Sequence, residues 1–262
     1  MYHTTGLTRE QVEDVAADVA ARHPGLAITA RSRGGNQALT FFRRVHLAIC
    51  YLRLNTCQAA LGDFFATSQS TVSRVVDTFT AAIVDALGHL VPTGDDLDPA
   101  EQLIVDGTLL PCWSWRDHHE LYSGKHRTTG HNVQVAVRAN GTLMWVSDPL
   151  PGSTHDSRAL RESGVLETIP EGALWSYIGD KGYLGLGMLT PQRKPYLGEL
   201  TDNEKENNKT INSTRVIVEQ SIANLKTWRI LHTDYRRPLH TFAKTLTAVL
   251  ALEFYRASAA PL

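Results

Sequence analysis

Cysteine is scarce in this 262-residue chain: Cys50, Cys57 and Cys112 are the three present, and their spacing is unpaired. A disulfide framework and a zinc knuckle are therefore disfavoured, and a reducing cytoplasm is the expected compartment. No run of about 18 apolar residues occurs, and the N-terminus lacks a charged-then-apolar pattern, so neither a membrane span nor a signal peptide is expected. Charge of either sign is not in excess: the formal net charge is −1 and the pI about 6.8. That disfavours a tail coating nucleic acid nonspecifically and leaves room for local basic patches. The chain has no G-x-x-x-x-G-K-[ST], no G-x-G-x-x-G after a strand and no G-x-S-x-G, which disfavours ATP use and acyl transfer. Internal repeats and low-complexity tracts are also lacking.

What remains is ordinary globular material, 42% hydrophobic and 20% charged, enough for a sizeable core. Residues 1–92 read as helical: a helix from Thr8 to about Ala21, a basic loop over 23–37 with Arg31 and Arg33, and a helix over about 38–54. Segment 58–80 then breaks at Thr67–Gln69 and reads as a helix-turn-helix. The turn-rich, acidic stretch 92–100 is the best boundary, dividing a helical domain, 1–95, from a second domain, 96–262. Beyond it the texture turns to strands: IVDGT, then 131–140 and 142–150 meeting at Asn140-Gly141, a hairpin signal. A helix at about 156–166, a strand ending at Asp180, an edge strand at 188–194, a polar loop over 196–212, and helices at 214–228 and 240–257 complete the order. The expected fold is an α/β (α+β) mixed sheet with helices packed on it.

Asp106, Asp180 and Glu219 carry the functional reading. Two apolar runs close on Asp106 and Asp180, and Glu219 lies in a helical segment. Either Asp alone could simply cap a turn. Together, on neighbouring parallel strands, they would place two carboxylates on one sheet edge, an arrangement that costs stability unless a cation neutralises it. With Glu219 on a facing helix, two divalent ions could be held to stabilise the attacking and leaving oxygens at phosphorus. Arg215, Glu219, Ile222 and Lys226 share one helical stripe. The bland reading is an exposed Arg215–Glu219 pair; the functional one has Arg215 and Lys226 holding phosphates.

Other candidates surround these. His155 and Asp156 follow P-G-S-T, where Ser153 or Thr154 would cap a helix; Asp156 is also an alternative second metal ligand. The loop 118–131 holds four histidines without a cysteine partner, against a zinc site. Arg116, Lys125 and Arg127 there lie beside Trp113, Trp115 and Tyr122, a mixture suited to DNA or to a solvated loop. In the helix-turn-helix, Ser70, Thr71, Ser73 and Arg74 could reach base edges and phosphates. Its plain alternative is a helical hairpin with Val72, Val75, Val76 and Phe79 as core.

The motifs I-V-D-G-T (104–108), P-G-S-T-H-D-S-R-A-L (151–160), Y-I-G-D-K-G-Y-L-G (177–185) and the Arg215–x3–Glu219–x6–Lys226 helix occur together. In them the chain resembles insertion-sequence transposases of the DDE class, nearest the bacterial branch related to Harbinger elements, over roughly 104–256 and more weakly over 39–80. The resemblance implies a ribonuclease-H-like (retroviral-integrase-like) catalytic core with Asp106, Asp180 and Glu219 as catalytic and metal-binding triad. It further implies two Mg²⁺ ions (Mn²⁺ substituting), double-stranded DNA as partner, and a homodimer or larger assembly on DNA. The expected activity is terminal-repeat binding with strand cleavage and transfer, in the cytoplasm on the nucleoid. The alternatives are an inactive transposase-derived regulator and a DDE endonuclease that hydrolyses without joining. Two departures stand out: Asn212 replaces a Tyr common three positions before the Arg, and only 38 residues separate Asp180 from Glu219, which leaves no room for a large inserted subdomain.

Overall fold

The computed structural model describes residues 2–29, 39–113, 116–170 and 173–259, so Arg31, Arg33 and Trp115 lie outside the described residues. In chain order the helices are α1 (Tyr2–Thr5), α2 (Arg9–Arg22), α3 (Pro24–Thr29), α4 (Phe41–Leu54), α5 (Gln58–Phe65), α6 (Gln69–Leu87), α7 (Asp156–Glu162), α8 (Val165–Thr168), α9 (Asp202–Leu225) and α10 (Phe242–Ser258). The strands are β1 (Leu103–Pro111), β2 (Tyr122–Ser123), β3 (Thr128–Arg138), β4 (Leu143–Val146) and β5 (Leu150–Pro151). Two compact units result: Met1–Val91 with Lys226–Leu262, and Pro92–Leu225.

The first unit is helical. Thr8 caps α2 in a reciprocal box with Gln11, Thr40 caps α4 and Ser68 caps α6, each satisfying backbone N–H groups that the first turn leaves without partners. On α6, Val72, Val76, Phe79 and Ile83 recur at helical spacing and are buried, packed with α4 and α10. The stretch Gln69–Asp96 has the length and composition to cross a membrane, yet its apolar side is this core. Helix α10 buries Phe242, Leu246, Val249, Leu250 and Leu252, each contributing roughly 1.5–3 kcal/mol of transfer free energy. The structure thus departs from the expected 95/96 division: residues 226–262 cluster with the helical unit. The reason is that an apolar helix face docks on matching apolar surface regardless of its neighbours in sequence.

The second unit is built on β3. Antiparallel to it run β1 on one side and β4 and β5 on the other, with β2 pairing its first residues. The β3–β4 hairpin turns at the expected Asn140-Gly141, where Gly141 takes a left-handed φ of 84°. Beyond β1 the sheet continues as two single parallel bridges, Ile104↔Ile178 and Ile178↔Leu189. These replace the two further strands expected around 175–180 and 188–194; Asp180 turns the chain into a 3₁₀ segment, Lys181–Tyr183, before a longer ladder forms. Leu103, Val105, Ala136 and Trp145 form one apolar face of the sheet, covered by Leu160 of α7 and Val165 of α8. The expected helix 156–166 is split there, because Gly164 adopts a left-handed φ of 76°. Helix α9 packs on β1 and β3 and starts earlier than expected, inside the polar stretch 196–212. Thr201 and Glu204 explain this: the Thr201 N–H and hydroxyl donate to the Glu204 carboxylate, and the Glu204 N–H donates back to Thr201 Oγ1.

Candidate active site

Asp106 lies in the middle of β1, opposite Val135 of β3, and not at a strand end as the sequence suggests. Ile178 pairs in parallel with Ile104, Val105 N–H donating to the Ile178 carbonyl and Ile178 N–H to the Leu103 carbonyl, both at 2.8 Å. Asp106 and Asp180 each lie two residues past this pairing, so the parallel register sets them level. Asp180 then caps the Lys181–Tyr183 turn, accepting from Gly182 N–H at 2.6 Å.

Burial pushes the Asp106 carboxyl up to about 6, and the charges of Asp180 and Asp156 act in the same direction. Arg215 and the Gly107 N–H oppose the rise. Arg215, from α9, places Nη2 3.3 Å from Asp106 Oδ2 and 4.0 Å from Glu219 Oε1. Its Nε is buried and meets no acceptor among the described residues. Glu219 itself is turned to solvent, 60% exposed, against 13% for Asp106.

The expected cage of three acids is therefore not assembled: among the described residues no three His, Cys, Asp or Glu side chains stand close enough to hold a metal ion. Asp106 and Asp180 are nevertheless all-oxygen donors, level with each other and partly stripped of water, the chemistry a hard divalent cation takes. The Arg215 guanidinium supplies positive charge between Asp106 and Glu219.

Asp156 opens α7 and rests on the sheet face opposite that of Asp106, since successive strand residues alternate in direction. A Cβ on Gly107 would fall 2.3 Å from Asp156 Oδ1, so only glycine admits this approach. Burial works against Asp156 ionising, but bonds from Lys125 (2.8 Å) and Asn132 (3.0 Å) outweigh it and hold the carboxyl below its usual range. The Lys125 ammonium loses solvent, and its bond to Asp156 with the charges of Asp180 and Asp106 raises it above its ordinary value. Lys125 thus stands beside the acids. His155 is the N-cap of α7 without a side-chain bond, where Ser153 or Thr154 was expected to cap.

Sequence reasoning missed a polar chain beneath this site. Tyr183 Oη donates to Gln134 Oε1 (2.6 Å), Gln134 Nε2 to Asn132 Oδ1 (2.8 Å), and Asn132 Nδ2 to Asp156 Oδ1 (3.0 Å). It ties the turn after Asp180 to the Asp156–Lys125 pair. Its signal was legible: Asn132 and Gln134 are polar residues alternating with the valines of β3. A cleft of about 470 Å³ opens beside it, lined by Tyr122, Lys125, His126, Asn132 and Asp156 among others. Trp113 and Tyr122 are half exposed and Arg127 is exposed, with a left-handed φ of 53°.

Some candidates lie elsewhere. Lys226 follows the end of α9 within the helical unit, half-buried, and burial lowers its ammonium. Ser70, Thr71, Ser73 and Arg74 are in the first two turns of α6. There the Arg74 guanidinium bonds to the Ser70 carbonyl and to Thr71 Oγ1.

The chain belongs to the DDE superfamily endonucleases, a family matching residues 105–253. It is similar to the putative transposase for insertion sequence element IS112 of Streptomyces albus G, 32% identical over 207 residues that cover 76% of this chain and 74% of that protein. It is also similar to the probable transposase for insertion sequence element IS702 of Microchaete diplosiphon, 26% identical over 203 residues, 74% of this chain and 72% of that one. No solved structure matches. These likenesses place the chain among DDE insertion-sequence transposases.

Proposed function

We propose that this protein binds the terminal inverted repeats of an insertion sequence and catalyses metal-dependent strand cleavage and strand transfer. The observation that carries this reading is the level placement of Asp106 and Asp180 on parallel neighbours, in a chain whose relatives are named as transposases. The core then reads as ribonuclease-H-like: five antiparallel strands continued by two short parallel pairings.

In this reading Asp106 and Asp180 hold Mg²⁺, or Mn²⁺ in its place, and Glu219 of α9 completes the set. Bound divalent ions would supply an activated water or 3′-hydroxyl and stabilise the leaving 3′-oxygen. The remaining work falls to the chain itself. Arg215 turns from Asp106 to a phosphate of the reacting strand, a stronger and bidentate partner, which leaves Glu219 free to face the two aspartates. Lys125, anchored by Asp156, holds a neighbouring phosphate, and the buried Tyr183–Gln134–Asn132 chain keeps that anchor and the Asp180 turn on one strand. The helical unit grips duplex DNA through Ser70, Thr71, Ser73 and Arg74, with Arg127 and Lys226 as further backbone contacts and His155 as support. Two ends are joined to one target, so a homodimer or larger assembly on the nucleoid is the working form.

The test is incubation of the protein with pre-cut element ends, a target plasmid and Mg²⁺. Insertion products support the proposal. Cleavage alone identifies a hydrolytic endonuclease, and binding without either identifies a transposase-derived regulator.

A further inference from the structure

Gln58 and Gln69 are the first residues of α5 and α6. The two helices cross closely. Ala66 takes a left-handed backbone (φ 54°), Thr67 N–H donates to the Gly62 carbonyl at 2.8 Å, and Ser68 caps α6. A Cβ at Gly62 would meet the Thr67 carbonyl oxygen at 2.7 Å, so this tight turn needs glycine there. The turn brings the two helix starts together, and Gln69 Nε2 donates to Gln58 Oε1 at 2.7 Å.

The pair is unusual for its setting. Gln69 is exposed and Gln58 half-buried, and long exposed amides ordinarily keep their rotational freedom. Here one amide orients the other. Once Gln58 Oε1 has taken one N–H, Gln69 retains its second N–H and its carbonyl oxygen. A donor and an acceptor side by side match adenine, which offers N7 and N6–H in the major groove. Guanine offers two acceptors there and would oppose the carbonyl. The surroundings carry the charge that a duplex backbone requires. Arg236 and Arg237 line the same concavity of about 310 Å³ as Gln58 and Gln69. Arg237 is ion-paired with Asp77 of α6, which fixes the segment, and Arg236 is exposed beside it.

We propose that Gln69, oriented by Gln58, reads an adenine in the major groove while Arg236 contacts an adjacent phosphate, so that the end-reading surface is built from both the 58–80 hairpin and the 233–237 segment. This rests on the DNA-binding reading of that hairpin and adds the base it selects. A residue of base recognition is thereby placed one position before those that the sequence points to.

The experiment is selection from a pool of randomised duplex DNA by the full-length protein and by Gln69→Ala, Gln69→Glu, Gln58→Leu and Arg236→Ala, each checked for unchanged circular dichroism. The wild type is expected to enrich a motif with a fixed adenine that Gln69→Ala no longer prefers, with about 5- to 150-fold discrimination lost at that position alone. Gln69→Glu is expected to move the preference there towards cytosine, whose N4–H₂ a carboxylate accepts. Gln58→Leu should weaken the same position. Arg236→Ala should lower affinity evenly across sequences and reduce the salt slope by about one. A wild-type motif retained unchanged by both Gln69 variants overturns the assignment while leaving the hairpin as a DNA-binding element. A wild type that retains no duplex overturns the DNA-binding reading itself, and this inference with it.

Discussion

Arg215 Nη2 lies 3.3 Å from Asp106 Oδ2, with both side chains mostly buried. The contact joins the middle of β1 to α9 and offsets one of the charges that crowd the candidate site. In the function proposed above, Arg215 would have two uses, a partner for Asp106 in the free chain and a phosphate ligand on DNA. Its buried Nε, with no acceptor among the described residues, leaves bonding capacity for the second.

Replacing Arg215 with Gln should therefore weaken binding to duplex ends and reduce the slope of log affinity against log salt by about one. Fluorescence anisotropy across a salt series measures this. A slope equal to that of the wild type would take Arg215 off the phosphate.

Asp106→Asn should lower cleavage by about 10³-fold or more, because several kcal/mol of charge stabilisation in the transition state are lost, each 1.36 kcal/mol being tenfold. End binding in a gel-shift assay should persist. Cutting at wild-type rates by this variant would remove Asp106 from the site.

The same substitution carries a pH signature in chelator-treated protein. The Asp106 carboxyl is raised to about 6 in the folded chain, so the proton binds more tightly to the folded state than to the unfolded one. The resulting stability is present below about pH 4 and is lost as pH rises through 6. Asn does not titrate. Asp106→Asn should thus gain stability over the wild type at pH 7.5, up to about 3 kcal/mol, and little at pH 4. Melting temperatures at the two pH values decide it; an equal difference at both would show that Asp106 ionises freely.

Tyr183→Phe should cost about 1–3 kcal/mol in urea unfolding, since it leaves the fully buried Gln134 Oε1 without its donor. Combined with Gln134→Leu, which also takes the donor from Asn132 Oδ1, the loss should be smaller than the sum of the two single losses, because the Tyr183–Gln134 bond can be lost only once. Strictly additive losses would show that the two side chains do not act as a pair.

Gly107→Ala should displace Asp156, since the new methyl would sit 2.3 Å from Oδ1 and 2.9 Å from Gln134 Nε2. The expected cost is about 1–3 kcal/mol of stability, with weaker Mn²⁺ binding by calorimetry as the Asp180 turn loosens. Wild-type stability in this variant would mean that Asp156 can move aside freely.

Much of the local structure was legible in the sequence because it depends on a few neighbouring residues. Thr8 begins α2 as expected, and Asn140-Gly141 turns the β3–β4 hairpin. Even the missed start of α9 was encoded locally, in Thr201-Asp202-Asn203-Glu204. Strand ends were harder to read: Asp106 follows an apolar run but sits mid-strand, because β1 continues wherever β3 offers hydrogen-bond partners.

By itself, the sequence determined most of the helices, the β3–β4 turn and which acids were candidates, since backbone preference, capping and periodicity act over one or two turns of chain. Only the tertiary structure decided that Asp180 stands level with Asp106, that Asp156 lies against Gly107 on the other face and that Arg215 stands between Asp106 and Glu219. It also decided that α10 packs with the helical unit. Those outcomes depend on strand register and helix docking between residues tens to hundreds of positions apart, where burial and pairing across the core outweigh any preference carried by neighbours in the chain.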